Sequence, residues 1–425
     1  MERNHVYQSY LEILRRELIC AMGCTEPIAL AYCAAVARST LGALPDRITV
    51  EVSGNIIKNV KSVVVPNTGG KRGMAAAACI GVLGGDPEAG LEVISHVSDE
   101  AKGRLDSYMK KTPTKICPLA SEHLLDMIVT VYSGPSYAKV RIAKEHTNIV
   151  LIERDGKVLL EKDLSVSAGS DDMPDYSLLT VEDIYDFADT CDLNDVREIL
   201  DRQIEMNTAI AEEGLRHDYG ANIGKVLLKT GSDLKTRAKA YAAAGSDARM
   251  NGSEMPVVIC SGSGNQGLTA SLPVIVYAGE LKVQQEKLYR ALLISNLVTI
   301  HAKTSIGRLS AYCGAVSAGA GAGSGIAYLY GADARDIAHT IVNTLAVTSG
   351  IVCDGAKSSC AAKIATAVET GIFGYEMFKH GQQFYAGDGL VVKGVENSIA
   401  NFGRLAREGM RETDLEIIRM MTEQC

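Results

Sequence analysis

Tyr312-Cys313-Gly314-Ala315-Val316-Ser317-Ala318-Gly319-Ala320-Gly321-Ala322-Gly323-Ser324-Gly325 is the stretch on which the fold turns. After Tyr312 it holds no charge and no side chain larger than valine. It reads as a buried helix against which other helices pack closely. Beyond a further apolar segment the sequence reaches Cys353-Asp354-Gly355-Ala356-Lys357-Ser358-Ser359-Cys360. Three cysteines in glycine-rich surroundings, the last two with six residues between them, point to a metal or cluster site.

Moving outward, the 425 residues exceed one core of ordinary size and favour two or three domains. Hydrophobic residues at 47% and charged residues at 22% exclude a disordered chain. Only 5% of the residues are aromatic and none is Trp, so small aliphatic side chains do most of the packing. A net charge of −8, with no dense Lys/Arg tract, argues against nucleic acid as a partner. The first residues lack the apolar core of a signal peptide, which predicts a cytoplasmic protein. The uncharged stretches 256–279 and 309–332 are broken by Gly, Ser and other polar or helix-breaking residues, and read as buried protein rather than membrane spans. Eleven cysteines, an odd number in a large intracellular chain, argue against a disulfide framework; most are expected as small buried hydrophobes.

In chain order, Tyr7, Tyr10, Leu11, Leu14 and Leu18 stand at helical spacing, and 27–41 reads as a second, wholly buried helix. Between them, Gly23-Cys24-Thr25-Glu26-Pro27 is a turn into that helix, with Thr25 or Glu26 as cap or first-turn acid. Cys24 is then either a thiolate favoured by the helix dipole or a buried cysteine in a turn. Residues 48–52 alternate as a strand, and Val63-Val64-Val65 reads as another. It leads through Pro66-Asn67-Thr68-Gly69-Gly70-Lys71-Arg72-Gly73 into an Ala-rich helix. That shape offers backbone N–H groups and two cations to a carboxylate, or is a tight turn with two solvated cations; it is not a nucleotide loop. Residues 91–109 look helical. From 125 to 160, short alternating segments with turns at Ser133-Gly134-Pro135 and Asp155-Gly156 read as an antiparallel sheet containing His146.

Residues 165–177 have a linker's composition. The expected fold class is therefore α+β, with an N-terminal domain (1–175) of helices on a small mixed, largely antiparallel sheet and a mostly helical C-terminal domain (176–425). Within the second, Ser261-Gly262-Ser263-Gly264-Asn265-Gln266-Gly267 is a polar loop inside an uncharged stretch. Its N–H groups and the Asn265 and Gln266 amides suit a substrate carboxylate. Cys313, Cys353 and Cys360 lack the paired knuckles of zinc sites and the close run of ferredoxins. Three thiolates gathered from distant positions suit three irons of a cubane, leaving one iron open as a Lewis acid.

Taken together, Tyr312-Cys313-Gly314, Cys353-Asp354-Gly355-Ala356-Lys357 with Cys360, Gly23-Cys24-Thr25-Glu26-Pro27 and Asn67-Thr68-Gly69-Gly70-Lys71 resemble the L-cysteine desulfidase family. That family is related in its C-terminal half to the alpha region of iron–sulfur L-serine dehydratases. The desulfidase resemblance covers nearly the whole chain. The dehydratase resemblance runs from about Glu213 onward and departs in the spacing of the last two cysteines. It implies a [4Fe-4S] cluster and elimination of L-cysteine to sulfide, ammonia and pyruvate, with L-serine as the alternative substrate. By the same resemblance, Cys313, Cys353 and Cys360 are cluster ligands, and Cys24 is a replaceable fourth ligand or an acid/base. A second set uses Cys24, Cys313 and Cys353 instead. Asn67, Thr68, Gly69, Lys71, Ser263, Asn265 and Gln266 are expected to hold the substrate's carboxylate and amine, with Lys71 and Cys24 in the catalytic group and His146 a further contact. The expected partners are a small amino acid and, in a homodimer, a second copy. An iron–sulfur or thiol sensor is the competing class, but it needs a recognition surface that this acidic chain does not offer.

Overall fold

The computed structural model describes residues 2–164, 174–307 and 309–422. The first part of the chain runs α1 (Glu2–Glu17), β1 (Cys20–Met22), α2 (Thr25–Leu41), β2 (Arg47–Val52), α3 (Gly54–Val60), α4 (Gly73–Gly84) and α5 (Asp99–Lys111). Strands β3 (Thr114–Pro118), β4 (Asp126–Ser133), β5 (Ser136–Ala143), β6 (Ile149–Arg154) and β7 (Lys157–Glu161) follow. The second part comprises α6 (Val181–Thr190), α7 (Arg197–Arg216), α8 (Ile223–Thr230), α9 (Leu234–Met250), β8 (Pro256–Val258) and α10 (Gly264–Leu281). Then come α11 (Gln285–Thr304), α12 (Gly314–Leu329), α13 (Ala334–Thr348), α14 (Cys360–Lys379), α15 (Val395–Arg404) and α16 (Arg411–Thr422). The α+β class expected from the sequence is the class observed.

Strands β3-β2-β4-β5-β6-β7 form one sheet in that order, parallel between β2 and β3 and antiparallel elsewhere. Alternation explains its burial: Ile48, Val50 and Val52 of β2 face inward with Met127, Val129 and Val131 of β4. Helix α2 covers that face, and its Cys33 thiol donates to Val140 O at 3.3 Å. Behind it lies α4, where Gly81 has no side chain; a Cβ there would stand 2.2 Å from Ala31 O of α2.

The glycine-rich stretch is α12, buried along its length among α10, α11, α13 and α14. Gly319 and Gly323 face Ala367 and Gly371 of α14 so closely that a Cβ at either would lie 2.5 or 2.3 Å from a backbone oxygen. Small residues thus set the interhelical distance, as the sequence implied.

Two expectations change. Residues 63–65 do not form a strand: β2 is already paired on both edges by β3 and β4, leaving only an isolated bridge between Val64 and Arg72. Helix α5 starts at Asp99 rather than near 91, because Ser98 caps it by accepting from Ala101 N–H at 3.2 Å. The C-terminal part is mostly helical, as expected, with one short strand, β8, pairing antiparallel with β1, Cys20 opposite Val258. The linker reading of 165–177 falls mostly on 165–173, outside the described residues.

Both ends of the chain cross between the two parts. Tyr7 and Tyr10 of α1 pack on Phe187 of α6 with ring centroids 5.4 and 5.0 Å apart. Helix α16 returns to α3, where Asp414 pairs with buried Lys58 and accepts from Asn55 Nδ2 at 2.9 Å. One apolar core runs through both parts. Among the described residues no helix is long and apolar enough to cross a membrane.

Candidate active site

Four helices begin at one cavity of about 110 Å3. Cys24 is the N-cap of α2, Ser263 of α10 and Cys313 of α12, while Cys360 is the first residue of α14. None of the four starts carries a side-chain cap hydrogen bond, and the positive ends of four helix dipoles meet at the cavity.

Cys313 and Cys353, far apart in sequence, are joined by backbone. Cys313 N–H donates to Ile351 O at 3.0 Å and Cys353 N–H to Ala311 O at 2.6 Å, around a bridge between Tyr312 and Val352. Asp354 braces the loop to Cys360 by pairing with both Lys357 and Lys363. Gly355, at φ +93°, lays this loop on α3; a Cβ there would stand 2.2 Å from Lys58 O. Cys24 joins Val63, Met250, Ala356 and Cys360 in a small apolar cluster on the same wall.

Among the described residues, no group of three or more His, Cys, Asp or Glu is gathered tightly enough for a single metal ion. Cys313, Cys353 and Cys360 nevertheless line one cavity. The donor set fits a cluster, whose thiolates each hold a different iron, better than one shared ion. Burial and the neighbouring Cys353 push the Cys313 thiol up to about 12. Cys360 is also raised, first by burial. Burial disfavours the charged form of both, and a cation among the sulfurs would favour their thiolates.

Glu26 is the carboxylate of the site, buried at 8% exposure. It accepts from Cys24 Sγ–H at 3.0 Å and from Asn59 Nδ2 at 3.2 Å. The Thr25 hydroxyl lies 3.1 Å from both Glu26 Oε2 and Gly262 O and donates to one at a time. Burial pushes Glu26 toward neutrality, but His146 and the Cys24 thiol outweigh it and hold the carboxyl at about 2. His146 Nε2 stands 3.9 Å from Glu26 Oε1, an ion-pair separation and not a hydrogen bond. Burial and the adjacent Glu26 raise the Cys24 thiol well above its ordinary value, so its proton stays on sulfur. Across the cavity, Arg249 ends α9 and donates from Nη1 to Asn265 Oδ1 at 3.1 Å.

Of the residues singled out by sequence, Cys24, Ser263, Asn265, Gln266, Cys313, Cys353 and Cys360 all line the cavity. His146 reaches it through Glu26. Asn67, Thr68, Gly69 and Lys71 are not among its lining residues. Asn67 Nδ2 donates to Ile94 O at 2.7 Å, Thr68 Oγ1 to Val65 O at 2.6 Å, and Lys71 pairs with Asp106 on α5. This loop backs the site instead: Pro66 packs so close to Gly23 that a Cβ there would be 2.6 Å away. The sequence reading missed Arg249 and Asn59 and took Glu26 for a first-turn acid. The sequence did carry a signal for Glu26, which stands inside the cysteine turn itself, but none for Arg249, which is separated from the 261–267 loop by Glu254.

A sequence model of the family described as serine dehydratase alpha chain matches residues 88–419, reaching much further toward the N-terminus than Glu213. A UPF0597 protein of Desulfitobacterium hafniense is 56% identical, over 100% of this chain and 99% of its own. One from Lachnoclostridium phytofermentans is 51% identical over 98% and 100%, and one from Fusobacterium nucleatum 41% over 98% and 99%. Matched over most of its length by the one and along almost its whole length by the others, the chain belongs to the serine dehydratase alpha chain family and to its UPF0597 proteins.

Proposed function

We propose that the protein is a lyase that eliminates the β-substituent of a small amino acid, with L-cysteine as substrate and sulfide, ammonia and pyruvate as products. The observation that carries this reading is the meeting of Cys313, Cys353 and Cys360 around one cavity, Cys313 and Cys360 at uncapped helix starts. Those three side chains would hold a [4Fe-4S] cluster. When bound, such a cluster supplies Lewis acidity toward the substrate's leaving group, and iron's affinity for sulfur favours a thiol.

The chain's own residues supply the rest. Ser263, Asn265 and Gln266 line the wall that meets the substrate, and Gln266 Oε1 has no hydrogen-bond partner of its own. Gly314 gives that amide room, since a Cβ there would lie 2.7 Å from its Cδ. Cys24 holds a proton on Sγ, directed at Glu26 Oε2, which makes this pair the candidate proton carrier for loss of the α-proton and later reprotonation. Burial keeps bulk water from the pair.

The family description favours a second substrate, L-serine, on the same residues. Anaerobic reconstitution with iron and sulfide, followed by parallel assay of L-cysteine and L-serine, separates the two. Sulfide and pyruvate from L-cysteine at a kcat/KM well above that for L-serine is the expected result; no sulfide from cluster-loaded protein would sink it. Iron counts on Ala variants should fall for Cys313, Cys353 and Cys360 and hold for Cys24; loss of iron in Cys24→Ala would instead favour the ligand set containing Cys24.

A further inference from the structure

Arg249 is a buried cation without a counterion in contact. Its side chain is 2% exposed, Nε has no hydrogen-bond partner, and its polar neighbours are a neutral amide, Asn265 Oδ1, which accepts from Nη1 at 3.1 Å, and the Cys24 thiol. No carboxylate pairs with it among the described residues, although Glu26 lines the same cavity. A guanidinium carries five donors in a planar fork, so most of its capacity is unused. Leaving such a charge unpaired away from water is costly, and proteins that retain one at a cavity wall use it for an anion that arrives.

The surroundings are built around this side chain. Gly264 makes room for it, because a Cβ there would stand 2.2 Å from Nε and 2.6 Å from Cζ. Arg249 lies in the last turn of α9 and Asn265 in the first turn of α10, so two helices fix the fork. Glu26 stands apart from it: Cys24 and Asn59 donate to it and the Thr25 hydroxyl is shared between it and Gly262 O, which leaves at least one of its four lone-pair sites open. A cation with free donors and an anion with one free acceptor site, in one small cavity and not collapsed into an ion pair, match a molecule that carries both charges.

We propose that Arg249 is the receptor for the substrate's α-carboxylate, binding it through the guanidinium fork, and that Glu26 takes the α-ammonium. The inference rests on the reading of this cavity as an amino-acid site. It makes Arg249 a specificity-determining residue: amino acids with a free carboxylate bind, and their amides do not. A plain carboxylic acid is disfavoured too, because it faces ionised Glu26 without an ammonium.

The test measures binding rather than turnover, by calorimetry on the full chain with and without cluster. The probes are L-alanine, which has no leaving group, and L-alaninamide, which has no carboxylate. Wild type should bind L-alanine more tightly than L-alaninamide by a factor of about 30, as expected for one charge-assisted fork. Arg249→Met should bring L-alanine down to the level of the amide and erase the ratio. It should also melt no lower than wild type without ligand, since it removes an uncompensated charge. Arg249→Gln, neutral and able to keep the bond to Asn265, repeats the comparison if the Met variant does not fold. A wild-type acid-to-amide ratio in either folded variant overturns the proposal, and so does absence of L-alanine binding to wild type. Arg249-dependent binding together with no sulfide or pyruvate from loaded enzyme would sink the proposed reaction and leave this inference standing. Sulfide release that tolerates Arg249→Gln with unchanged KM would do the reverse.

Discussion

Two glycine loops of nearly the same composition end up with opposite fates. Residues 66–73 and 261–267 both lead into a helix, both hold three glycines and one Asn, and both read as places for an anion. In the first, Gly69 and Gly70 face open space, Asn67 turns inward onto Ile94 O, and Lys71 spends its charge on Asp106. In the second, Gly264 is pressed against Arg249 and Gly267 against Val258 O. A glycine loop binds when its neighbours enclose it, and enclosure comes from the rest of the fold rather than from the loop.

The sharpest way to break this comparison is to add one methyl group to each loop. In Gly267→Ala the new Cβ would stand 2.1 Å from Val258 O, a backbone atom of β8 held by β1, so the strand cannot give way. A loss of about 3 kcal/mol is expected, at the upper end for overpacking. Gly69→Ala meets no atom within 4 Å and carries only the cost of φ +66°, about 1 kcal/mol. Urea unfolding of both variants checks the ranking, and equal losses would remove the distinction between an enclosed loop and an open one.

A smaller effect separates the two asparagines. Asn67→Ala leaves the buried Ile94 carbonyl without its donor, and about 1–2 kcal/mol of stability should go, with substrate affinity unchanged. Asn265→Ala takes away the one acceptor that steadies Arg249. There the expected loss is in affinity, about tenfold in KM or in L-alanine binding, with a smaller change in melting temperature. Exchange of these two outcomes would return the 66–73 loop to the site.

What the sequence made legible follows from how local each signal is. The strand at 48–52 and the hairpins joined at Gly134 and Asp155-Gly156 declare themselves by alternation and by turn residues at positive φ. The buried α12 declares itself by composition. Strands β1 and β8, three residues each, are too short to show a period and exist only because distant segments meet. Val63-Val64-Val65 has strand propensity, but tertiary packing leaves it only the bridge between Val64 and Arg72. In the site, cysteines were conspicuous because their chemistry is scarce. Glu26 and Arg249 were not, since a charged residue in a sequence looks like surface until tertiary packing buries it. No residue pattern tells which way a polar loop faces.

Lys71→Ala is the smallest and most pointed test of the comparison. If 66–73 held substrate, losing its lysine would raise KM at least tenfold, as losing any cation that holds a carboxylate should. The structure gives Lys71 another occupation, the ion pair with exposed Asp106, whose carboxyl is held below its ordinary value first by the Lys71 hydrogen bond and then by its charge. For an acid lowered in the folded state, the linked stability is present above the ordinary carboxylate pKa and fades as pH falls through the lowered value. Wild type should therefore show a slight advantage over Lys71→Ala near neutral pH that vanishes in acid. Added salt should erase it, because an exposed pair is screened. KM should not move at any pH, and a KM that rose with the substitution would show that the two loops share one ligand.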